Sequence, residues 1–259
     1  MTLTELRKVL QELNLRPSRR LGQNYLYDQN LARIIVEAAQ IGPLDRVVEI
    51  GPGLGALTEI LVQKTSELEV IEKDSRAAAF LTARFPGLKV RHADALDFDF
   101  PASPSWVCIG NLPYSVGSRL IVDLCGREWP PDRMVFTVQR EVADRLLARP
   151  NVKDYGLLTL LTQPFYGIKI IRHLPSSVFF PEPDVESSVV RFERRQSHLH
   201  GVMDARYRQI VKKAFQHRRK TLGAIFGREI PTSLNPKSRP AEISVGEWIT
   251  AAASRADSA

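Results

Sequence analysis

The feature that most constrains the fold is a glycine-rich loop, "EIGPGLGA", which runs from Glu49 to Ala56. It follows the β-branched run "DRVVEI" and precedes "ALTEILVQK", where apolar residues recur at helical spacing. The segment therefore predicts a strand, a tight loop and a helix in that order. Gly51 and Gly53 carry no Cβ, so the backbone can approach an adenosine-containing ligand closely.

This loop alone leaves other interpretations open. Gly51, Gly53 and Ala56 also fit the dinucleotide-binding fingerprint, and Glu72, at the end of the next predicted strand, would bind a ribose in either case. A structural glycine turn is the third interpretation.

Further strands and helices alternate after the loop. The runs "ELEVIEKD", "LKVRHAD", "WVCIGN" and "RMVFTVQ" predict strands, and "SRAAAFLTARF" and "REVADRLLAR" predict helices between and after them. This order indicates an α/β fold with a doubly wound, mostly parallel sheet. The late runs "IKIIRHL" and "SSVVRFERR" favour an antiparallel pair at the sheet edge.

The strand signal ends near Gln196. Beyond it, "HLHGVMDARYRQIVKKAFQHRRKTLGAIFG" is helical and strongly basic, and "RPAEISVGEWITAAA" predicts another helix. We therefore expect two domains, residues 1–196 with the sheet and residues 197–259 as a small all-α domain.

Composition excludes some classes of protein and favours others. No apolar run approaches the roughly 20 residues of a membrane span, and the N-terminal "MTLTELRKVLQELNL" predicts an amphipathic helix without the pattern of a secretory signal, so we expect a cytoplasmic location. Two cysteines and five scattered histidines suggest neither a disulfide framework nor a metal site. The net charge of +7 favours a polyanionic partner, most commonly nucleic acid.

Three consecutive predicted strands end in a hydrogen-bonding side chain. Glu72, Asp94 and Asn111 follow the second, third and fourth strands, at the carboxyl edge where such sheets bind ligands. Any one of them alone is more often a solvated turn residue. Together with the glycine loop they predict a binding site.

These motifs resemble those of a known enzyme family. "GQNYLYD", "EIGPGLGALTEIL", "NLPY", "FFPEPDVESSVV" and "FQHRRKTL" are similar, in order and spacing, to the class I S-adenosylmethionine-dependent methyltransferases, and within them to the bacterial small-subunit (16S) rRNA adenine N6-dimethyltransferases, the KsgA/RsmA family. The resemblance covers most of the chain. It implies S-adenosyl-L-methionine as cofactor, a Rossmann-like fold, and 16S rRNA of the small ribosomal subunit or its precursor as partner, with a role in subunit biogenesis.

The resemblance also implies roles for individual residues. Asn24 and Leu26 match positions that close over the cofactor, and Gly51 lies in the loop at its methionine end. Gly53 belongs to the same cofactor-binding loop. Glu72 matches the ribose-binding acid, and Asp94 the residue that faces the cofactor adenine. Asn111 matches a residue that contacts both cofactor and target.

Two positions depart from the family pattern. Ser115 stands where Asn usually follows "NLPY", and Asp184 stands in "PEPDV" where a basic residue is usual. Asp184 puts the RNA contacts of that loop in question.

The segment "NLPY" suits methylation of an adenine amine. The side-chain oxygen of Asn111 and the carbonyl of Leu112 would accept the N6 hydrogens and orient the lone pair, while Pro113 fixes the loop. Tyr114 would stack on one face of a flipped base, and the resemblance implies Phe179 for the other face. Phe179 and Phe180, adjacent aromatics before a proline, also fit ordinary core and surface neighbours. A strand end followed by a proline turn is the alternative interpretation.

Basic clusters outline a candidate RNA surface. Their spacing on the C-terminal helix also fits an ordinary solvated face. The candidate RNA-binding residues are Arg19, Arg20, Arg195, Lys212, Arg218, Arg219 and Lys220.

The motifs are also compatible with three rival functions. They are a large-subunit rRNA adenine methyltransferase, a non-catalytic RNA-binding ribosome assembly factor, and a nicotinamide dehydrogenase. We expect the rRNA adenine dimethyltransferase, as a monomer.

Overall fold

A seven-stranded sheet forms the centre of the larger part of the chain in the computed structural model, which describes residues 1–17, 22–195 and 202–254. The strands of the described residues are β1 Tyr25–Leu26, β2 Arg46–Ile50, β3 Leu68–Glu72, β4 Lys89–His92, β5 Trp106–Asn111, β6 Arg133–Gln139, β7 Tyr166–Leu174, β8 Phe179–Phe180 and β9 Ser187–Arg194. The α-helices of the described residues are α1 Leu3–Glu12, α2 Gln29–Ala38, α3 Thr58–Leu61, α4 Ser75–Arg84, α5 Gly117–Cys125, α6 Arg140–Leu147, α7 Leu157–Leu160, α8 Val202–Gln216, α9 Leu222–Phe226 and α10 Val245–Ala253.

The strand order confirms the predicted fold class. Neighbours across the large sheet run β4, β3, β2, β5, β6, β9, β7. The pairs β3–β4, β2–β3, β2–β5 and β5–β6 are parallel, whereas β9 is antiparallel to β6. Because the chain proceeds to one side of β2 and then to the other, the crevice beyond the carboxyl ends of β2 and β5 is the usual ligand position in such sheets.

Local sequence explains why these elements form where they do. The apolar β-branched residues Val47 and Val48 of β2 are completely buried, as expected for a strand covered on both faces. Helix α2 begins after a capping residue, since the Asp28 carboxylate accepts hydrogen bonds from the backbone N–H groups of Asn30 and Leu31. Asp74 caps α4 in the same way.

A second, two-stranded sheet was not predicted. β1 and β8 pair antiparallel, with Tyr25 opposite Phe180 and Leu26 opposite Phe179. The pairing connects the "GQNYL" segment to the "FFPEP" segment far along the chain. It therefore fixes the N-terminal segment that carries Asn24.

The chain divides into two compact units. One comprises Met1–Ala143 and Lys169–Glu193, and the other Asp144–Ile168 and Arg194–Ala259. The boundary expected at Gln196 lies outside the described residues, and the second unit also takes in residues 144–168, which sequence reasoning assigned to the first domain.

Buried tyrosines explain why residues 144–168 belong to the second unit. Within that unit the Tyr155 hydroxyl donates to the Ile243 carbonyl, and the Tyr207 hydroxyl donates to the Leu160 carbonyl. These bonds connect residues 144–168 to the helical segment that follows.

Across the described residues of the whole chain, we find no helix with the length and apolar character that crossing a membrane requires.

Candidate active site

A cavity lies in the first unit, at the carboxyl ends of the central parallel strands. Its walls come from residues 22–27, the glycine loop, the end of β3, residues 93–96, and the end of β5 with the loop after it. Of the predicted cofactor-binding residues, the cavity brings together Asn24, Leu26, Gly51, Gly53, Glu72, Asp94 and Asn111.

The glycine loop has a backbone that few other residues can adopt. Gly51 and Gly53 have φ angles of +64° and +57°. A Cβ on Gly53 would lie 3.0 Å from two ring carbons of Tyr25. Glycine at position 53 therefore permits both the left-handed turn and the close approach of the Tyr25 ring.

Glu72 is held beneath this loop. Its side chain is only 6% exposed, and its carboxylate accepts hydrogen bonds from the backbone N–H groups of Gly53 (3.0 Å) and Asp74 (2.8 Å). Burial raises the pKa of Glu72, and the backbone hydrogen bonds oppose that shift. A carboxylate oxygen can accept two hydrogen bonds, so each oxygen of Glu72 can accept one more from a ligand hydroxyl.

Asp94 occupies the loop after β4. Its carboxylate accepts from the Lys73 ammonium at 2.6 Å and from the Leu96 backbone N–H at 3.0 Å. The Lys73 hydrogen bond, followed by that from Leu96, lowers the pKa of Asp94. The aspartate is therefore an ionised acceptor on the cavity wall at neutral pH.

Asn111, the last residue of β5, has an unsatisfied buried acceptor. Its side-chain Nδ2 donates a 2.8 Å hydrogen bond to the backbone carbonyl of Asn24. Its Oδ1 is buried and accepts no hydrogen bond from the described residues. An unsatisfied buried acceptor costs about 1–3 kcal/mol, and a ligand donor in the cavity would remove that cost.

The next two residues of "NLPY" complete the strand end. Leu112 is buried, and its N–H donates to the Thr137 carbonyl on β6. The Pro113 carbonyl accepts from the N–H groups of Val116 and Gly117 at the start of α5. The loop is thus anchored on both sides of the Leu112 carbonyl.

Tyr114 is anchored by a residue that sequence reasoning missed. Its hydroxyl lies 2.5 Å from the hydroxyl of Ser187, a fully buried residue at the start of β9. Burial raises the pKa of Tyr114, and the Ser187 hydrogen bond opposes that shift. A serine in "ESSVV" gives no sequence signal of this contact, because it depends on β9 lying next to β6.

The structure does not bring Phe179 to the cavity. Its side chain is 2% exposed and packs in the hydrophobic core with Leu26 and Val189. The side chain is buried because β1 covers β8 at this position. The stacking role expected for Phe179 is therefore left without geometric support.

The two departures from the family pattern lie in different surroundings. Ser115 lines the cavity, whereas Asp184 is exposed. Glu49, the first residue of the glycine motif, also lines the cavity, and the motif alone predicts no role for it. It is 1% exposed, and its carboxylate accepts a 2.7 Å hydrogen bond from the Thr58 hydroxyl.

The predicted RNA-binding residues divide into three groups. Arg19 and Arg20 lie outside the described residues. Arg218 donates hydrogen bonds to the backbone carbonyls of Val152 and Lys153, which gives it a structural role within the second unit. The exposed members are Arg195, Lys212, Arg219 and Lys220.

The cavity fits an adenosyl amino acid. Gly53 permits close backbone approach, Glu72 and Asp94 supply acceptors, and Asn111 supplies an unsatisfied one. Over the described ranges, no group of three or more His, Cys, Asp or Glu side chains is arranged to hold a metal ion.

Comparison with known proteins identifies the family. The model of the ribosomal RNA adenine dimethylase family matches residues 14–248. The chain belongs to this family. It is 40% identical to a ribosomal RNA small subunit methyltransferase A of Syntrophotalea carbinolica, over 81% of each chain. It is 36% identical to the protein of the same name from Clostridium perfringens, over 93% of this chain and 92% of that one.

Solved structures agree with this family assignment. A dimethyladenosine transferase from Plasmodium falciparum superposes with a TM-score of 0.77 at 25% identity, covering 87% of this chain and 95% of that one. The 23S rRNA methyltransferase ErmE superposes with a TM-score of 0.68 at 27% identity, covering 89% and 98%. The protein is therefore a methyltransferase of the rRNA adenine dimethylase family, with the predicted α/β fold.

Proposed function

We propose that the protein transfers methyl groups from S-adenosyl-L-methionine to N6 of two adjacent adenines near the 3′ end of 16S rRNA, in the small ribosomal subunit or its precursor. The observation that carries the proposal is the buried, unsatisfied Oδ1 of Asn111 at the cavity wall. The small-subunit names of the relatives favour this substrate over large-subunit rRNA.

The reacting amine needs orientation more than proton removal. Its lone pair is delocalised into the adenine ring, so it is a poor nucleophile until the nitrogen becomes pyramidal. Asn111 Oδ1 and the Leu112 carbonyl would each accept one N6 hydrogen, which directs the lone pair toward the methyl group. Asn24 supports this arrangement because it holds the Asn111 amide in one orientation.

The Tyr114 ring would support the flipped base. Base stacking on an aromatic side chain contributes about 1–3 kcal/mol per base. Ser187 limits rotation of Tyr114 through the hydroxyl pair, so the ring is positioned before the base arrives. Pro113 keeps the intervening backbone rigid.

The cofactor site would be formed by the glycine loop and the acidic strand ends. When bound, S-adenosyl-L-methionine supplies an electrophilic methyl group on a positively charged sulfur. Glu72 would accept from the ribose hydroxyls, and Asp94 from the adenine amine. Gly51 and Asn24 would lie against the methionine portion.

The RNA backbone would be bound by exposed cations. The candidates on the second unit are Arg195, Lys212, Arg219 and Lys220, and these attract phosphates at long range. In this proposal the helical unit binds RNA and the sheet unit carries out transfer. The enzyme would act as a monomer in the cytoplasm during subunit biogenesis.

A labelled-subunit assay tests the proposal. Purified protein is incubated with S-adenosylmethionine labelled in the methyl group and with small subunits that lack the modification. Label is expected in N6,N6-dimethyladenosine at two adjacent positions of 16S rRNA.

Large subunits serve as the comparison in the same assay. Label confined to large-subunit rRNA would replace the small-subunit proposal by the rival activity. Absence of label in both subunits, with intact cofactor binding, would favour a non-catalytic assembly factor.

A further inference from the structure

Besides Glu72 and Asp94, the cavity wall contains the carboxyl group of Glu49, which has no role in the proposed transfer. Glu49 is on β2, two residues before Gly51, and its side chain is 1% exposed. Among the described residues, the one hydrogen-bond partner of the Glu49 carboxyl group is the hydroxyl of Thr58, which is itself fully buried. A buried carboxyl group with one neutral partner is poorly stabilised as an anion.

The charged surroundings of Glu49 also disfavour its ionisation. Glu72, on the neighbouring strand β3, is a second acid acting on it, and no cation among the described residues pairs with Glu49. Glu59 of α3 pairs instead with Arg84, and β5, on the other side of β2, carries no charged residue. Burial first, and Glu72 to a smaller extent, raise the pKa of Glu49 to about 8.

The anion of Glu72 is better stabilised than that of Glu49. Two backbone N–H groups donate to its carboxylate, whereas Glu49 receives one hydroxyl. Backbone hydrogen bonds to a carboxylate favour its charged form. Of the two buried acids, Glu49 is therefore the one that lacks fixed support for a negative charge.

We propose that Glu49 senses the charge of the ligand: it is neutral in the free protein, ionises when a positively charged ligand occupies the cavity, and so favours S-adenosylmethionine over S-adenosylhomocysteine. This inference rests on the proposed cofactor. The two ligands share the amino acid and adenosine portions and differ by the methyl group and by the positive charge on sulfur.

The charge difference acts through the low dielectric of the cavity. A cation close to a buried carboxyl group stabilises its anion, so Glu49 releases its proton to the buffer on binding. After transfer the ligand loses its positive charge, and Glu49 takes up a proton again. Binding of substrate and release of product are thereby linked to proton exchange at one residue.

Calorimetry of the wild-type protein tests the inference without any substitution. Binding of each ligand is measured at pH 7 in two buffers of different ionisation enthalpy, and the difference in heat gives the number of protons released. S-adenosylmethionine is expected to release between about half a proton and one proton more than S-adenosylhomocysteine.

The outcomes separate this inference from the proposed function. Binding of both ligands with equal proton release overturns the charge-sensing role and leaves the cofactor assignment intact. A protein that binds neither ligand overturns both.

A substitution identifies the residue responsible. Glu49→Gln keeps an acceptor for Thr58 and a similar shape but cannot ionise. The excess proton release is expected to disappear, and the preference for S-adenosylmethionine over S-adenosylhomocysteine to fall about tenfold, the equivalent of one pKa unit. Glu37→Gln, an exposed position on α2 outside the cavity, is the matched control and should change neither quantity. Unchanged excess release in Glu49→Gln overturns the assignment.

Discussion

The side-chain Nδ2 of Asn111 donates a 2.8 Å hydrogen bond to the backbone carbonyl of Asn24, which is 87 residues earlier in the chain. This bond determines the orientation of the Asn111 amide, so Oδ1 is the atom left without a partner. The N-terminal segment therefore has two roles in the proposed site. It forms part of the cavity wall, and in the proposed mechanism it holds the acceptor for the target amine.

Replacing Asn111 by Ala is expected to lower kcat by about 100-fold or more, the usual effect of removing one positioned polar group. RNA affinity should change little, because the residues proposed to bind phosphates do not include Asn111. Single-turnover methylation and filter binding measure the two quantities. Asn30→Ala, on the surface of α2, should have normal activity. Near-normal turnover of Asn111→Ala would refute the assigned role.

The contact between Tyr114 and Ser187 predicts a coupled effect. Ser187→Ala should lower kcat/KM about three- to tenfold, since one hydrogen bond contributes about 0.5–1.5 kcal/mol. In the Tyr114→Phe background the same substitution should have no further effect, because the hydroxyl it contacts is gone. Methylation rates of the four proteins form the cycle. Additive losses would show that Ser187 does not act through Tyr114.

Gly53 can be tested against a matched glycine. Gly53→Ala introduces a Cβ 3.0 Å from the Tyr25 ring at a φ of +57°, and should weaken cofactor binding at least tenfold. Gly87→Ala has a similar backbone requirement, a φ of +89°, but its Cβ would meet nothing within 4 Å. It should lower stability without altering affinity. Calorimetric titration with the cofactor measures the affinity of each variant. Equal affinities of Gly53→Ala and Gly87→Ala would show that close packing at Gly53 is not important for cofactor binding.

The sheet could be predicted because its strands carry strong local signals. Each of the central strands is a β-branched or aromatic run that ends in a glycine or a polar residue, and the carboxyl ends of parallel strands share one edge. The structure places Glu72, Asp94 and Asn111 in the wall of one cavity, and their roles toward a ligand stay a prediction.

The short sheet and the buried contacts could not be predicted. β1 and β8 have two residues each, too few to show an alternating pattern. The same pairing buries Phe179, although the motif alone suggests an aromatic ring that is available for stacking. The contact of Ser187 with Tyr114 depends on β9 lying next to β6 in the sheet, and the role proposed for Glu49 depends on its burial. Sequence spacing contains neither kind of information.

Removing positive charge from the proposed RNA-binding surface should weaken binding of rRNA and reduce its dependence on salt. The combined substitution of Lys212, Arg219 and Lys220 by Ala should weaken rRNA binding and reduce the slope of log affinity against log salt by about two to three. Arg218→Ala should instead lower the melting temperature, because it leaves the Val152 and Lys153 carbonyls without this donor. Salt titrations and thermal melts distinguish them. An unchanged salt slope in the triple variant would place the phosphate contacts elsewhere.

Glu49 also predicts how stability depends on pH in the protein without ligand. Its pKa is raised from 4.5 to about 8 in the folded state, so the folded protein retains a proton that the unfolded chain releases. The free energy of unfolding should therefore fall as the pH rises through this window, by up to about 1.4 kcal/mol per pH unit from this group. Glu49→Gln lacks this component and should gain stability relative to the wild type toward pH 8, whereas Glu37→Gln should follow the wild-type curve. Urea unfolding monitored by tryptophan fluorescence between pH 5 and 8 measures the difference. Parallel curves for the wild type and Glu49→Gln would mean that Glu49 is already ionised in the folded protein.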